Sequence, residues 1–183
     1  MKNDIEITSF YSNDPEIVAI AELYCRTFLS AGFSYEEKEN AVKNIIKHAH
    51  YAGFKGLKAK NEKGNIIGFS YGYTSLSEQF YRQKIAAQLS EKEINTWLTD
   101  CCEFVELAVS PPYKRIGIAS RLHDLLLGDI NHKTAVLTTA IENTPAIHLY
   151  RKKGWELIKK DAAVISKEHL QIIMGKTLLR NEI

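Results

Sequence analysis

The stretch ELAVSPPYKRIGIASRLHDLLL, Glu106 to Leu127, joins a strand-like apolar run to an amphipathic helix through a short turn. The turn is YKRIGIAS, Tyr113 to Ser120: two cations, then residues of little bulk where a helix begins. A helix that starts just after a strand presents unpaired backbone N–H groups and the positive end of its dipole, so main chain can hold an anion there. Gly117 and Ala119 have no bulk to keep a phosphate from the backbone, while Lys114, Arg115 and the Ser120 hydroxyl supply charge and a donor. The segment is neither G-x-x-x-x-G-K-[ST] nor G-x-G-x-x-G, so the nucleoside-triphosphate and dinucleotide loops are excluded. Taken alone, the turn also reads as a solvated, charged helix start.

Upstream, Cys101 to Val109 is a near-continuous apolar strand that carries two carboxylates, Glu103 and Glu106. Strict alternation puts Glu103 with Val105 and Leu107 on one face, and Glu106 with Phe104 and Ala108 on the other. A bulge would alter that count. Downstream, Ile118, Leu122, Leu125 and Leu126 share a helix face, and Gly128 stops the helix.

Further out, helices and strands alternate. Asp4 to Phe10 reads as a strand, and Asn13 or Asp14 with Pro15 starts a helix whose Ile17, Ile20, Ala21, Tyr24 and Phe28 share a face. Ser34 with Glu37 is a capping box for a second helix that carries Ala41, Val42, Ile45 and Ile46 inward. Phe54 to Lys60 and Asn65 to Thr74 form a hairpin through Glu62-Lys63-Gly64-Asn65. Ser77 to Asp100 holds two short helices, the second opened by Ser90 and Glu93. Ala135 to Ala140 is a strand, Pro145 to Lys153 a helix ending at Gly154, and Trp155 to Lys159 and His169 to Leu178 are closing strands. The expected class is α/β (α+β), one domain over residues 1–183 with a helical insertion at about 76–100.

Composition agrees with a single soluble domain: 183 residues, 45% apolar and 25% charged, with four prolines. The net charge of +2 and the lack of any like-charge block speak against nucleic acid. The start MKNDIEITSF has no cationic lead into an apolar run, and no stretch approaches the roughly 18 apolar residues of a membrane span. A cytoplasmic location without membrane attachment is expected. Cys25, Cys101 and Cys102 make no disulfide framework and read as reduced packing residues. His48 and His50 face differently on a helix, and no Cys or carboxylate completes a site at metal spacing, so no metal is expected. His123 and His148 read as surface residues.

Two motifs carry a resemblance. The segment Glu106 to Leu127 resembles the acyl-CoA-binding motif of the GNAT superfamily of N-acetyltransferases, [RQ]-x-x-G-x-[GA], with Lys114 at the Arg/Gln position, Gly117 at the glycine and Ala119 at the Gly/Ala position. Lysine there is a departure that keeps the charge. ENTPAIHLYRKKGW, Glu142 to Trp155, resembles the second motif, N-x-x-A-x-x-x-Y-x-x-x-G-[FW], through Asn143, Ala146, Tyr150, Gly154 and Trp155. The resemblance is close over about 101–158, and the earlier elements are consistent with that fold back to residue 4.

The resemblance implies a mixed, mostly antiparallel sheet that splays in its middle, flanked by helices, with acetyl-CoA as cosubstrate wedged between the strand ending at Val109 and the strand Ala135 to Ala140. Pyrophosphate would lie on Arg115, Ile116, Gly117, Ile118, Ala119 and Ser120, beside Lys114. The pantetheine arm would pair with the main chain of Leu107, Ala108 and Val109, and the Leu107 N–H could polarise the thioester carbonyl. Asn143, Ala146, Tyr150 and Lys153 would flank the arm.

An amine must be neutral to attack and the departing thiolate gains from an acid. Tyr150 is the expected acid. Glu103, Glu106 or a water relay is the expected base. Aromatic faces suit cations, so Phe28, Phe33, Tyr35, Tyr71, Tyr73 and Trp97 are candidates for the acceptor pocket. The insertion could roof that pocket or form a homodimer contact. The expected reaction is acetyl transfer to a primary amine in a ternary complex. A small-molecule acceptor (amino acid, polyamine or aminoglycoside-like) is preferred over a protein N-terminus or lysine; a non-catalytic acyl-CoA sensor is the remaining alternative.

Overall fold

The Ser34 Oγ accepts the Glu37 N–H at 3.1 Å and the Glu37 carboxylate accepts the Ser34 N–H at 2.6 Å, so a helix starts where the sequence places it. Ser90 and Glu93 repeat the arrangement. In the computed structural model, which describes residues 5–178, these boxes open the second and fourth of six helices. The order is β1 (Glu6–Phe10), α1 (Ile17–Phe28), α2 (Tyr35–Ala49), β2 (Lys55–Lys60), β3 (Ile66–Thr74), α3 (Phe80–Ala86), α4 (Glu91–Trp97) and β4 (Cys101–Val109). A short turn of 3-10 helix (Pro111–Tyr113), α5 (Ile118–Gly128), β5 (Thr134–Ala140), α6 (Thr144–Lys152), β6 (Glu156–Ala162) and β7 (Gln171–Thr177) follow. Asp4, expected to begin the first strand, lies outside the described residues. Gly128 is the last residue of α5, and Asp129, not a glycine, caps it.

The strands form one mixed sheet in the order β1-β2-β3-β4-β5-β7-β6. Neighbours β1–β2, β2–β3, β5–β7 and β6–β7 run antiparallel, and β4–β5 is parallel through Cys101–Glu103 and Thr134–Val136. The chain makes two compact units: the described residues up to Tyr73 with Val105–Asp129, and Thr74–Phe104 with the described residues from Ile130 onward.

In the first unit, Phe69, Tyr71 and Tyr73 of β3 pack with Phe10, Ile20 and Ile45 beneath α1 and α2. The alternate residues of β3 face α5. The Ser70 hydroxyl is 3.5 Å from the Leu122 carbonyl, and a Cβ on Gly68 would sit 3.2 Å from the Leu122 side chain, so glycine lets α5 approach the strand. Ile118, Leu122 and Leu126 are buried, but Leu125 is 48% exposed and His123 is buried instead. Steps of four residues drift about 40° around a helix, which carries the stripe toward His123 and leaves Leu125 at its edge. The sequence reading of these two residues is corrected accordingly; His148 is exposed, as read.

In the second unit, Ile85 and Leu98 join Cys101, Val136 and Ile173 in a second core. The helices between β3 and β4 thus pack on β4, β5 and β7 within this unit. Phe104, on the opposite face of β4 from Cys101 by alternation, meets Tyr150 and Trp155 edge-on at 6.0 and 5.9 Å. The strand ends are tied by a polar chain in which His132 lies 2.8 Å from Asp100 through Nδ1 and 3.1 Å from Thr74 through Nε2. All three cysteines are free and buried, and burial raises the Cys101 thiol far above its ordinary value.

His48 of α2 lies among Tyr51, Tyr71 and Tyr73, its Nδ1 3.1 Å from the Tyr71 hydroxyl. Burial, with Lys47 adding repulsion, lowers its pKa to about 4. Above about pH 6.5 the imidazole is neutral folded or unfolded. As pH falls the unfolded chain takes the proton first, so stability is present above pH 6.5 and is lost toward pH 4. Thermal melts are expected to show Tm falling by several degrees across that window, and His48→Gln should remove most of the slope.

Candidate functional site

The turn before α5 is shaped by two residues in left-handed conformation, Arg115 at φ 66° and Gly117 at φ 89°. Gly117 is the N-cap, and a Cβ there would meet nothing within 4 Å. Glycine is therefore set by backbone angle, where the sequence reading had invoked only bulk. Among the described residues no protein acceptor takes the N–H groups of Arg115 to Ser120. Successive amides in alternating conformations followed by a helix start make a concavity for an anion. Lys114, Arg115 and Ile116 are exposed around it, Ala119 and Ser120 are half-buried, and Ile118 anchors the helix in the core.

The turn is held from behind by contacts that no motif announces. The Asn61 amide donates to the Tyr113 hydroxyl at 2.8 Å, which ties the turn to the β2–β3 hairpin. The Ser110 N–H donates to the Ile67 carbonyl at 2.8 Å, which fixes the end of β4. Only the Asn in a hairpin and the Tyr before the cations hinted at this.

The carboxylates of β4 have different surroundings. Glu103 is 2% exposed and the Ser75 hydroxyl lies 3.5 Å from its Oε2. Glu106 is half-buried with no hydrogen-bond partner among the described residues, and desolvation pushes it up to about 8. Val105 and Ala108 both belong to the core under α1 and α2 although strict alternation would separate them, so the strand changes phase between them. Leu107 is half-buried, and Ala108 and Val109 are buried.

On α6, Asn143 is the N-cap: its Oδ1 accepts the Ala146 N–H at 3.4 Å and its Nδ2 donates to the Thr139 hydroxyl at 3.3 Å. Tyr150 is buried and edge-packed on Trp155 at 5.8 Å. The Lys153 carbonyl accepts the Lys176 ammonium at 2.6 Å.

The acceptor candidates divide. Phe28, Phe33 and Tyr35 sit where α1 meets α2; Phe28 and Tyr35 are exposed, and Lys38 lies 5.5 Å over the Tyr35 ring. Tyr71 and Tyr73 are interior residues around His48, and Trp97 covers Gly175 where a side chain would otherwise stand. These three are engaged in packing.

A model of the Acetyltransferase (GNAT) family matches residues 17–155, most of the chain. The chain belongs to the GNAT acetyltransferase family. This GNAT protein shares its fold with PH1933 from Pyrococcus horikoshii OT3, at 19% identity and a TM-score of 0.69 over 97% of this chain and 100% of that one. It also resembles a chain of the NatC complex bound to Gag peptide and CoA (17%, 0.65, 96% and 99%). A third likeness is to the ribosomal-protein-S18-alanine N-acetyltransferase from Escherichia coli (15%, 0.64, 98% and 98%). No curated protein matches the chain. Family and fold make it an acyltransferase, and the turn, with its open amides and two cations, offers the donor set of an anion site. Among the described residues no helix is long and apolar enough to cross a membrane, and no group of three or more His, Cys, Asp or Glu could hold a metal ion.

The backbone angles separate two substitutions. Gly117→Ala places a side chain at left-handed φ and is expected to cost about 1–2 kcal/mol of stability while weakening CoA binding. Arg115→Gly relieves its own strain, so CoA affinity in calorimetry should fall several-fold without loss of Tm.

Proposed function

We propose that the protein is an N-acetyltransferase that moves the acetyl group of acetyl-CoA to a primary amine of a small molecule by direct attack in a ternary complex. The observation that carries the reading is the turn: open amides from Arg115 to Ser120, set by Arg115 and Gly117, with Lys114 and Arg115 beside them. The pyrophosphate is assigned to these groups, and the pantetheine amides to the main chain of Leu107 to Val109 and to Asn143, with Ala146 and Lys153 beside the arm.

Attack forms the C–N bond and breaks the C–S bond. The amine proton must go to a base, and the leaving sulfur must gain one. Glu106 is the better base, because its carboxyl has no hydrogen-bond partner among the described residues and burial sets it at about 8, closer than an ordinary carboxyl to an alkyl ammonium at about 10. Glu103 is already engaged with Ser75. Tyr150 is the assigned acid; its ring is held by Phe104 and Trp155, so its phenol has a defined direction. Phe28, Phe33 and Tyr35 remain the accessible aromatic candidates for the amine. The NatC and S18-alanine names belong to proteins 17% and 15% identical, and likeness at that level is one of fold.

Initial rates of CoA release with a panel of amines, amino acids and peptides test the assignment. Because Glu106 acts once ionised, kcat is expected to climb with pH, pass half its maximum near 8 and level off above that, and Glu106→Gln should lose at least tenfold and flatten the profile. Tyr150→Phe should lower kcat by a similar factor with acetyl-CoA binding retained. Release with peptides alone would move the acceptor to proteins. Binding of CoA without release by any acceptor would show a sensor.

A further inference from the structure

The turn that carries the open amides is strung between two fixed points in the first unit, and both lead to the β2–β3 hairpin and the strand that leaves it. At its front, the Tyr113 N–H donates to the Ser110 carbonyl at 2.9 Å, the Ser110 N–H donates to the Ile67 carbonyl at 2.8 Å, and the Tyr113 hydroxyl meets the Asn61 amide at 2.8 Å. At its back, Ile118 is 1% exposed, and its Cγ2 lies 3.3 Å from where a Cβ on Gly68 would stand. Of Lys114, Arg115, Ile116 and Gly117, which span these points, Arg115 and Gly117 are left-handed. A residue other than glycine keeps that conformation only where its surroundings over-determine it.

Asn61 has no freedom to turn away from Tyr113. Its Oδ1 accepts the Lys63 and Asn65 N–H groups, each at 3.0 Å, while its own N–H donates to the Asn65 carbonyl at 3.1 Å and its carbonyl accepts the Gly64 N–H at 2.9 Å. With the side-chain oxygen so used, Nδ2 is the end that faces Tyr113, and it can only donate. The hairpin thus offers the turn one directed hydrogen bond from a rigid frame. We infer that Asn61 and Tyr113 are positioning residues for the donor's pyrophosphate: neither is assigned to touch it, and their bond holds the amides from Arg115 to Ser120 in the arrangement that receives it. The inference rests on the reading of the turn as the CoA phosphate site. It adds that the affinity of this site is set in part by a hairpin to which no phosphate contact is assigned.

Calorimetry with CoA on the full chain tests it. Tyr113→Phe keeps the ring and removes the hydrogen bond, so CoA should bind about fivefold more weakly than to wild type. Asn61→Ala should lose at least as much, because it also leaves two hairpin N–H groups without their acceptor. Once Asn61 is replaced, Tyr113→Phe has no bond left to remove, and the double variant should bind CoA as Asn61→Ala does. Single losses that multiply in the double variant would overturn the inference. Phosphorus NMR at saturating CoA gives a signature that a general loss of stability does not produce. The pyrophosphate resonances of bound CoA should differ between wild type and Tyr113→Phe while both proteins still melt cooperatively, and identical resonances would count against the positioning role. If wild type binds no CoA, the donor reading fails and the inference falls with it. If wild type binds CoA and Tyr113→Phe binds it equally well, the donor reading stands and the positioning role alone fails.

Discussion

A buried or half-buried peptide N–H needs an acceptor, and at the start of α5 several have none among the described residues. Much of the candidate site follows from that constraint. The left-handed pair Arg115 and Gly117 sets the direction of these amides, and the turn is fixed from behind by Asn61 and Tyr113. Gly68 then lets α5 lie close against β3, so the helix start is anchored by packing at Ile118 and Leu122. A site made this way needs few charged side chains. Lys114 and Arg115 add attraction to a geometry that the backbone already defines.

The strand leading to the turn shows how one element separates two similar groups. Glu103 and Glu106 are three residues apart and have different surroundings: Glu103 has the Ser75 hydroxyl nearby, and the Glu106 carboxyl is raised by desolvation. A phase change between Val105 and Ala108 accompanies this difference. Bulges beside active sites commonly re-aim a side chain in this way.

Most elements were legible in the sequence because each carries a local cause. The Ser34–Glu37 and Ser90–Glu93 boxes form, the apolar run Cys101 to Val109 is β4 over those same residues, and the glycine before α5 is its N-cap. What could not be read depends on contacts distant in sequence. Leu125 and His123 exchange places because the helix meets the sheet at an angle that periodicity alone does not specify. Tyr71, Tyr73 and Trp97 look like pocket aromatics in sequence, but an aromatic's fate depends on what stands opposite: His48 for the two tyrosines and Gly175 for the tryptophan. The Asn61–Tyr113 bond joins residues with no shared motif.

The position of β7 between β5 and β6 bears on biosynthesis. Both flanking strands leave the ribosome before it does, and each ends up paired with it along one edge. Until β7 emerges, those edges expose unpaired backbone and the apolar residues that later meet Ile172 to Met174. The sheet of the second unit therefore stays incomplete until β7 has been made, and a nascent chain halted before residue 171 carries an open edge suited to a chaperone or to another unfinished chain.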